Sequence, residues 1–440
     1  MSHQRRYIQF GGKTLEKPPI GVVKDAGKPQ GFRSEHDDSI TAECDWRTTN
    51  FGSENIIVFT AQPSVLLDAT PENTPDWYTL CIVTPAAKRK ILSTPGYPQP
   101  LNRPPLTRHK IMESPTSGIG MFATVDMELG DLVFSERALL MASPAITKPA
   151  YLPAHYTQDQ AIQAALYEKE RVLEQGFNTM SKESQDAYMK LHNCHLYDGS
   201  GPLLGIMRTN SFSMEYFYDE RYLFPYAGVF KDASRMNHSC CPNVRRFVNP
   251  RTFGIEFRAL HSIKKGEEIL TSYVVIEETT AERQDELAPY EFQCQCRVCQ
   301  NPQKSDQLRS MLRETPPCKL VGQRLVLWLM TPGLPESYVV EPCLERLGKM
   351  EEGGLESTKW YEETLEYLVE LYCSMGNAAE AVKSQRKLEL IRVEFWDERS
   401  TDSELQELVY SHKRWNWRGR VQQTMKYIGI HSSRARMSDL

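Results

Sequence analysis

Cys294, Cys296 and Cys299 place three thiols within six residues, and this is the tightest constraint on how the chain can fold. Zinc prefers four ligands in a tetrahedron, so three clustered thiols require a fourth from elsewhere in the chain. The cysteines close an ordered series of motifs. Asn237-His238-Ser239-Cys240 runs into Cys241-Pro242-Asn243, and Gly266-Glu267-Glu268-Ile269 leads to Ser272-Tyr273. Tyr290-Glu291-Phe292-Gln293 then precedes the clustered cysteines.

Composition decides how the cysteines are read. The 440 residues hold 11 cysteines, an odd number, and Met1 to Phe10 is polar and basic with no apolar stretch of a secretory leader. This predicts a reducing compartment, nucleus or cytoplasm, where clustered thiols bind metal rather than pair. No run approaches the roughly 18 apolar residues of a membrane helix, so no membrane partner is expected. A net charge of -5 predicts no strong nucleic-acid binding. The local exception is Lys413, Arg414, Arg418 and Arg420, interleaved with Trp415 and Trp417. Such a stretch either touches a phosphate backbone or forms the solvated face of a last helix, and the second reading is preferred.

Along the chain, residues 1–54 show little periodicity and read as largely disordered. Residues 55–109 form an extension with short strands, at Asn55–Phe59 and Leu80–Val83, and a Pro-rich linker from Pro95 to Pro105. A strand-rich block opens near Lys110, with Gly118-Ile119-Gly120 read as a turn ahead of an apolar segment. Within residues 138–208, Ile162, Ala165, Leu166, Val172 and Leu173 recur at helical spacing, and a second helix fits Lys182 to Leu191. Strand-like punctuation returns through Thr252–Phe257. From about Ser305 the pattern is helical. Leu365, Leu368, Leu371 and Tyr372 form one stripe, Gly376-Asn377 a turn, and Ala379, Ala381, Val382, Leu388 and Ile391 a second helix. This suggests a tetratricopeptide-like hairpin.

In combination these motifs resemble the SET-domain protein lysine methyltransferases, nearest the SET–MYND subfamily. The resemblance covers residues 110–300 and implies an α+β fold: small twisted β-sheets with a pseudoknot formed by the Asn237–Cys240 segment. It implies a SET domain over 110–277 with a helical insert at 138–208. It also implies a post-SET zinc segment at 278–303 and an all-α, TPR-like domain at 304–440. One departure stands out. Between Arg137 and Arg208 only Cys194, His155, His192 and His195 offer metal ligands, too few for a MYND finger, so the chain reads as a MYND-less relative.

The resemblance also implies roles. Cys240 supplies the fourth zinc ligand beside Cys294, Cys296 and Cys299. Cys241 is its rival, and adjacent side chains on an extended segment point apart, so both do not bind. S-adenosylmethionine is contacted by Gly118, Gly120, Asn210, Asn237 and His238, with Phe292 packed on the adenine. Tyr273 is the catalytic tyrosine, orienting the lysine amine and the methyl group, with Phe212 and Tyr290 as walls of the substrate channel. Glu267 and Glu268 read as structural or solvated. The implied activity is lysine N-methylation of a histone or non-histone protein. Partners of the helical domain are also possible. The alternative is a scaffold whose SET domain binds cofactor weakly or not at all, and calorimetry with S-adenosylmethionine separates the two.

Overall fold

The computed structural model describes residues 8–10, 13–14, 27–34, 47–63, 78–115, 118–220, 224–392 and 399–438. The expectation of disorder over 1–54 falls mostly outside them. Of that stretch, Phe32 is buried edge-on to Tyr167, and the Gln30 carbonyl accepts a hydrogen bond from the Tyr156 hydroxyl.

The strands are β1 (Ile8–Phe10), β2 (Lys13–Thr14), β3 (Val58–Gln62), β4 (Thr79–Val83), β5 (His109–Ser114) and β6 (Gly118–Ala123). They continue with β7 (Leu132–Glu136), β8 (Leu140–Ala142), β9 (Ile146–Thr147), β10 (Phe212–Asp219) and β11 (Phe224–Val229). The last are β12 (Asn237–His238), β13 (Val244–Asn249), β14 (Gly254–Ala259) and β15 (Glu268–Thr271). Among the described residues they form small sheets ordered β2-β1-β9, β10-β11-β8-β4-β3, β12-β15-β6-β5 and β13-β14-β7. Most neighbours are antiparallel, while β1 with β9, β4 with β8 and β12 with β15 run parallel. The β12–β15 pairing matters most here, because it lays Asn237 against Leu270 and His238 against Thr271.

The helices are α1 (Pro85–Leu92), α2 (Gln158–Phe177), α3 (Lys182–Met189), α4 (Pro202–Asn210), α5 (Thr280–Leu287) and α6 (Pro302–Glu314). They continue as α7 (Pro317–Met330), α8 (Ser337–Glu352), α9 (Lys359–Met375), α10 (Ala378–Ile391), α11 (Asp402–Tyr410) and α12 (Trp417–Ser438). In α2 a capping box between Thr157 and Gln160 opens the helix, and Ile162, Ala165, Leu166, Val172 and Leu173 are buried as their spacing requires. They pack on Leu80, Ile82 and Leu140 of the five-stranded sheet. The α9–α10 pair is joined by Gly376 at φ 76°, a left-handed C-cap that a Cβ would strain. It encloses a separate apolar cluster around Trp328, Leu347, Leu365 and Leu388.

The structure adds to the sequence reading. The 55–109 segment carries a helix, α1, that the reading did not include. Its signal was present: Thr84 accepts from Ala87 N–H as N-cap and Pro85 occupies the first turn. The strands of that segment join the five-stranded sheet. β4 is buried along its whole length and pairs with β8, so it completes the central sheet. Gly120 lies inside strand β6 rather than in a turn before it, while Gly118 opens that strand at φ 69°. The basic stretch near the C-terminus packs on the helices. Arg418 lies 4.0 Å over the Trp328 ring, and Arg414 pairs with Glu370 at 2.7 Å.

Candidate functional site

β15 ends at Thr271, and the chain turns so that Tyr273 lies against β12. The Tyr273 N–H donates to His238 Nδ1 at 3.0 Å. Burial pushes the imidazole down to about 4, so it is neutral near pH 7. With Nδ1 accepting, the ring proton sits on Nε2, which lies 3.3 Å from Cys240 Sγ. One histidine thus ties the Tyr273 backbone to the cysteine cluster.

The Tyr273 hydroxyl donates to the Met236 carbonyl at 2.7 Å. Burial, then the neighbouring Tyr290, pushes its phenol well above the ordinary tyrosine range, so it remains a donor. Its ring lies 4.9 Å from Tyr290 and 5.3 Å from His238, and Phe292 lies 6.1 Å beyond His238. Phe292 is 39% exposed, an apolar ring left open at the rim of a histidine–tyrosine cluster.

Asn237 uses both amide hydrogens, donating to the Ile119 carbonyl at 3.3 Å and to Glu268 Oε1 at 2.7 Å. Glu268 Oε2 accepts from Ser114 at 3.1 Å. A Cβ on Gly120 would overlap this carboxylate and the Asn237 amide, so Gly120 is required by that pair. Gly118 sits at φ 69° facing open space.

Two expected site residues lie differently. Asn210 ends α4 with its amide committed to the carbonyls of His192 and Ile206, at 2.6 and 2.7 Å. Its own carbonyl accepts from Ser234, so it braces the turn that leads to Asn237. Phe212 was expected in the channel wall with Tyr290. Its ring neighbours are instead Phe230 and Phe257 in the sheet core, at 5.9 and 5.8 Å, with Arg246 above it. As the first residue of β10 it follows that strand's inward face.

The sulfurs of Cys240, Cys294, Cys296 and Cys299 converge within 4.8 Å of one another. Cys240 Sγ lies 3.9 Å from Cys294 and 3.5 Å from Cys299. A tetrahedron with Zn–S bonds of about 2.3 Å has edges of about 3.8 Å, so the donor set fits zinc. Cys241 is not one of the four converging sulfurs: its thiol adjoins Cys296 at the edge of the cluster, with Sγ 3.9 Å from the Gly353 carbonyl at the end of α8. Arg283 adds a second indication. It is fully buried, and its Nε donates to Cys240 Sγ at 3.2 Å, which places a fixed cation against the thiols.

Sequence reasoning missed three contributors. The Met236 carbonyl carries no side-chain signal. Glu268 was read as structural or solvated, and it is structural, but as the group that orients Asn237. Arg283 reads as an ordinary helical arginine, because burial by a later segment leaves no local mark.

Residues 118–274 match the family described as SET domain. The chain carries a SET domain. Tyr273, Asn237, His238 and Cys240 lie inside the match, and the other three cysteines lie beyond it. The sulfur cluster therefore joins the SET domain to the segment that follows. The histone-lysine N-methyltransferase set5 of Schizosaccharomyces pombe is 32% identical over 192 residues, 43% of this chain and 50% of that protein. The N-lysine methyltransferase SMYD2 of Homo sapiens is 34% identical over 127 residues, 25% of this chain and 28% of that protein. The chain thus spans half or less of the length of these relatives. No helix among the described residues is long and apolar enough to cross a membrane.

Proposed function

We propose that this protein is an S-adenosylmethionine-dependent protein-lysine N-methyltransferase acting on a histone or non-histone lysine in the nucleus or cytoplasm. One observation carries the reading. Motifs far apart in sequence converge on a half-buried cluster of Tyr273, His238, Tyr290 and Phe292, with the oriented Asn237 amide on the neighbouring strand. The names of the two relatives, both lysine methyltransferases, point the same way.

S-adenosylmethionine supplies an electrophilic methyl group on a cationic sulfonium. Asn237 suits such a ligand, because with both amide hydrogens engaged its Oδ1 is left to accept from an ammonium. The exposed Phe292 ring suits a flat base. Lysine attacks only as the neutral amine, and free lysine titrates near 10.4. The aromatic walls of Tyr273 and Tyr290 disfavour its charged form by desolvation. The Tyr273 hydroxyl, held by the Met236 carbonyl, fixes one polar atom beside the amine, and the remaining help is alignment. The four cysteines would hold zinc as a structural clasp for the post-SET segment.

We assign the boundaries 110–277, 278–303 and 304–440 to SET, post-SET and TPR-like helical regions. We also read the chain as lacking a MYND finger. Cys194, the lone cysteine of the 138–208 insert, pairs with the Thr209 hydroxyl at 3.2 Å, and His195 with Asp198 at 2.8 Å. The test is transfer of labelled methyl to protein in a cell extract, with calorimetry against S-adenosylmethionine. Absence of both binding and transfer would sink the reading and favour a scaffold.

A further inference from the structure

α5 is opened by a capping box, with Thr279 and Glu282 each bonding the other's backbone. That fixes the helix entry so that Arg283 turns inward, under the cysteine cluster and fully buried. Nε reaches Cys240 Sγ at 3.2 Å, and Nη2 reaches Cys299 Sγ at 3.7 Å. Its other acceptors are the Glu278 carbonyl, Thr280 Oγ1 at 3.1 Å and Ser305 Oγ at 3.3 Å. Among the described residues none of these acceptors is a carboxylate. A buried guanidinium with only neutral oxygen acceptors costs several kcal/mol, and for Arg283 the groups in direct contact that can carry negative charge are the Cys240 and Cys299 sulfurs. Four thiolates around Zn²⁺ sum to about -2 in formal charge, and charge-assisted N–H···S contacts suit that excess.

We propose that Arg283 is the counter-ion of the cysteine cluster, a positioning residue that holds Cys240 and Cys299 and offsets part of their thiolate charge. The proposal rests on reading the cluster as a zinc site. Arg309 provides the contrast. It is equally buried and close by, yet it donates to the Ile276 carbonyl and to Ser305 rather than to sulfur. A merely architectural role for Arg283, tying α5 to α6 through Ser305, predicts that the two arginines behave alike.

The test uses the full chain. Zinc affinity is measured by chelator competition for the wild type, Arg283→Met, Arg283→Lys and Arg309→Met. The sulfur-to-metal charge-transfer band is recorded after loading with Co²⁺, and thiol alkylation of the zinc-loaded protein is timed with iodoacetamide. Loss of the contacts should weaken zinc binding about 10- to 100-fold in Arg283→Met, move the band to lower energy and speed alkylation. Arg283→Lys should fall between, and Arg309→Met should match the wild type in all three. An Arg283 variant with wild-type affinity and an unmoved band overturns the proposal, as does an equal effect from Arg309→Met. If Arg283→Met does not fold, Arg283→Lys alone decides by the same readouts. A folded wild-type chain that takes up no zinc overturns the zinc reading itself, and this is established before any variant is made.

Discussion

The Tyr273 hydroxyl has one protein partner, the Met236 carbonyl, at the point where β12 begins. Tyr273→Phe removes that donor and leaves the ring packed between His238 and Tyr290. We expect turnover to fall about 10- to 100-fold, from loss of a hydrogen bond worth roughly 1.5–3 kcal/mol in the transition state. The affinity for S-adenosylmethionine should be nearly unchanged. Wild-type turnover in a folded Tyr273→Phe protein would make this tyrosine structural. Asn237→Ala should do the reverse, weakening cofactor binding first, and calorimetry reads that directly. At this scale the sequence was informative where a side chain itself makes the contact, as with Tyr273 and the four cysteines. It was silent where a backbone atom or a buried charge does, as with Met236 and Arg283. For Gly120 the residue was legible and its reason was not, because the conflict is with Glu268, about 150 positions away in the chain.

Among the elements, the segment Cys294–Cys299 is the one whose order depends most on a bound ion. It has no regular secondary structure, and its apolar neighbours among the described residues are few: Leu287, Val274 and the tyrosines Tyr273 and Tyr290. Cys296→Ser should lower zinc content below one per chain by metal analysis, and it should make residues 291–300 cleavable by a protease that spares the wild type. Full zinc content in that variant would remove Cys296 from the ligand set. Element identity was legible wherever a long period was present. α2, α9 and α10 were readable from their apolar stripes, whereas the signal of α1 is its Thr84 cap and the Pro85 of its first turn.

For the whole molecule, the sheets and the helical array are joined by buried charge. Arg245 on β13 meets Glu362 on α9 at 2.5 Å and donates to the Ile391 carbonyl at the end of α10. Burial works to raise the Glu362 carboxyl. Arg245 and Lys359 outweigh it and hold the group below its ordinary value. A carboxylate depressed in the folded state contributes stability above its unfolded value near 4.3, and loses it as pH falls through the folded value. Acid should therefore loosen this junction first. Arg245→Ala leaves Glu362 with Lys359 and Arg392 as partners and removes one charged hydrogen bond, which should cost about 1.5–3 kcal/mol, read as a lower melting temperature. An unchanged melting temperature would show that this ion pair does not hold the two parts together. None of this was readable in the sequence, since nothing local marks Arg245 and Glu362, 117 residues apart, as partners.

Cys240 and Cys294 are separated by 54 positions. At a ribosomal rate of about 5–20 residues per second, the first thiol emerges roughly 3–10 s before its partners. For that interval the nascent chain presents an unclasped Cys240 beside Cys241. Assembly of the site therefore depends on how long a half-made protein can keep two neighbouring thiols reduced.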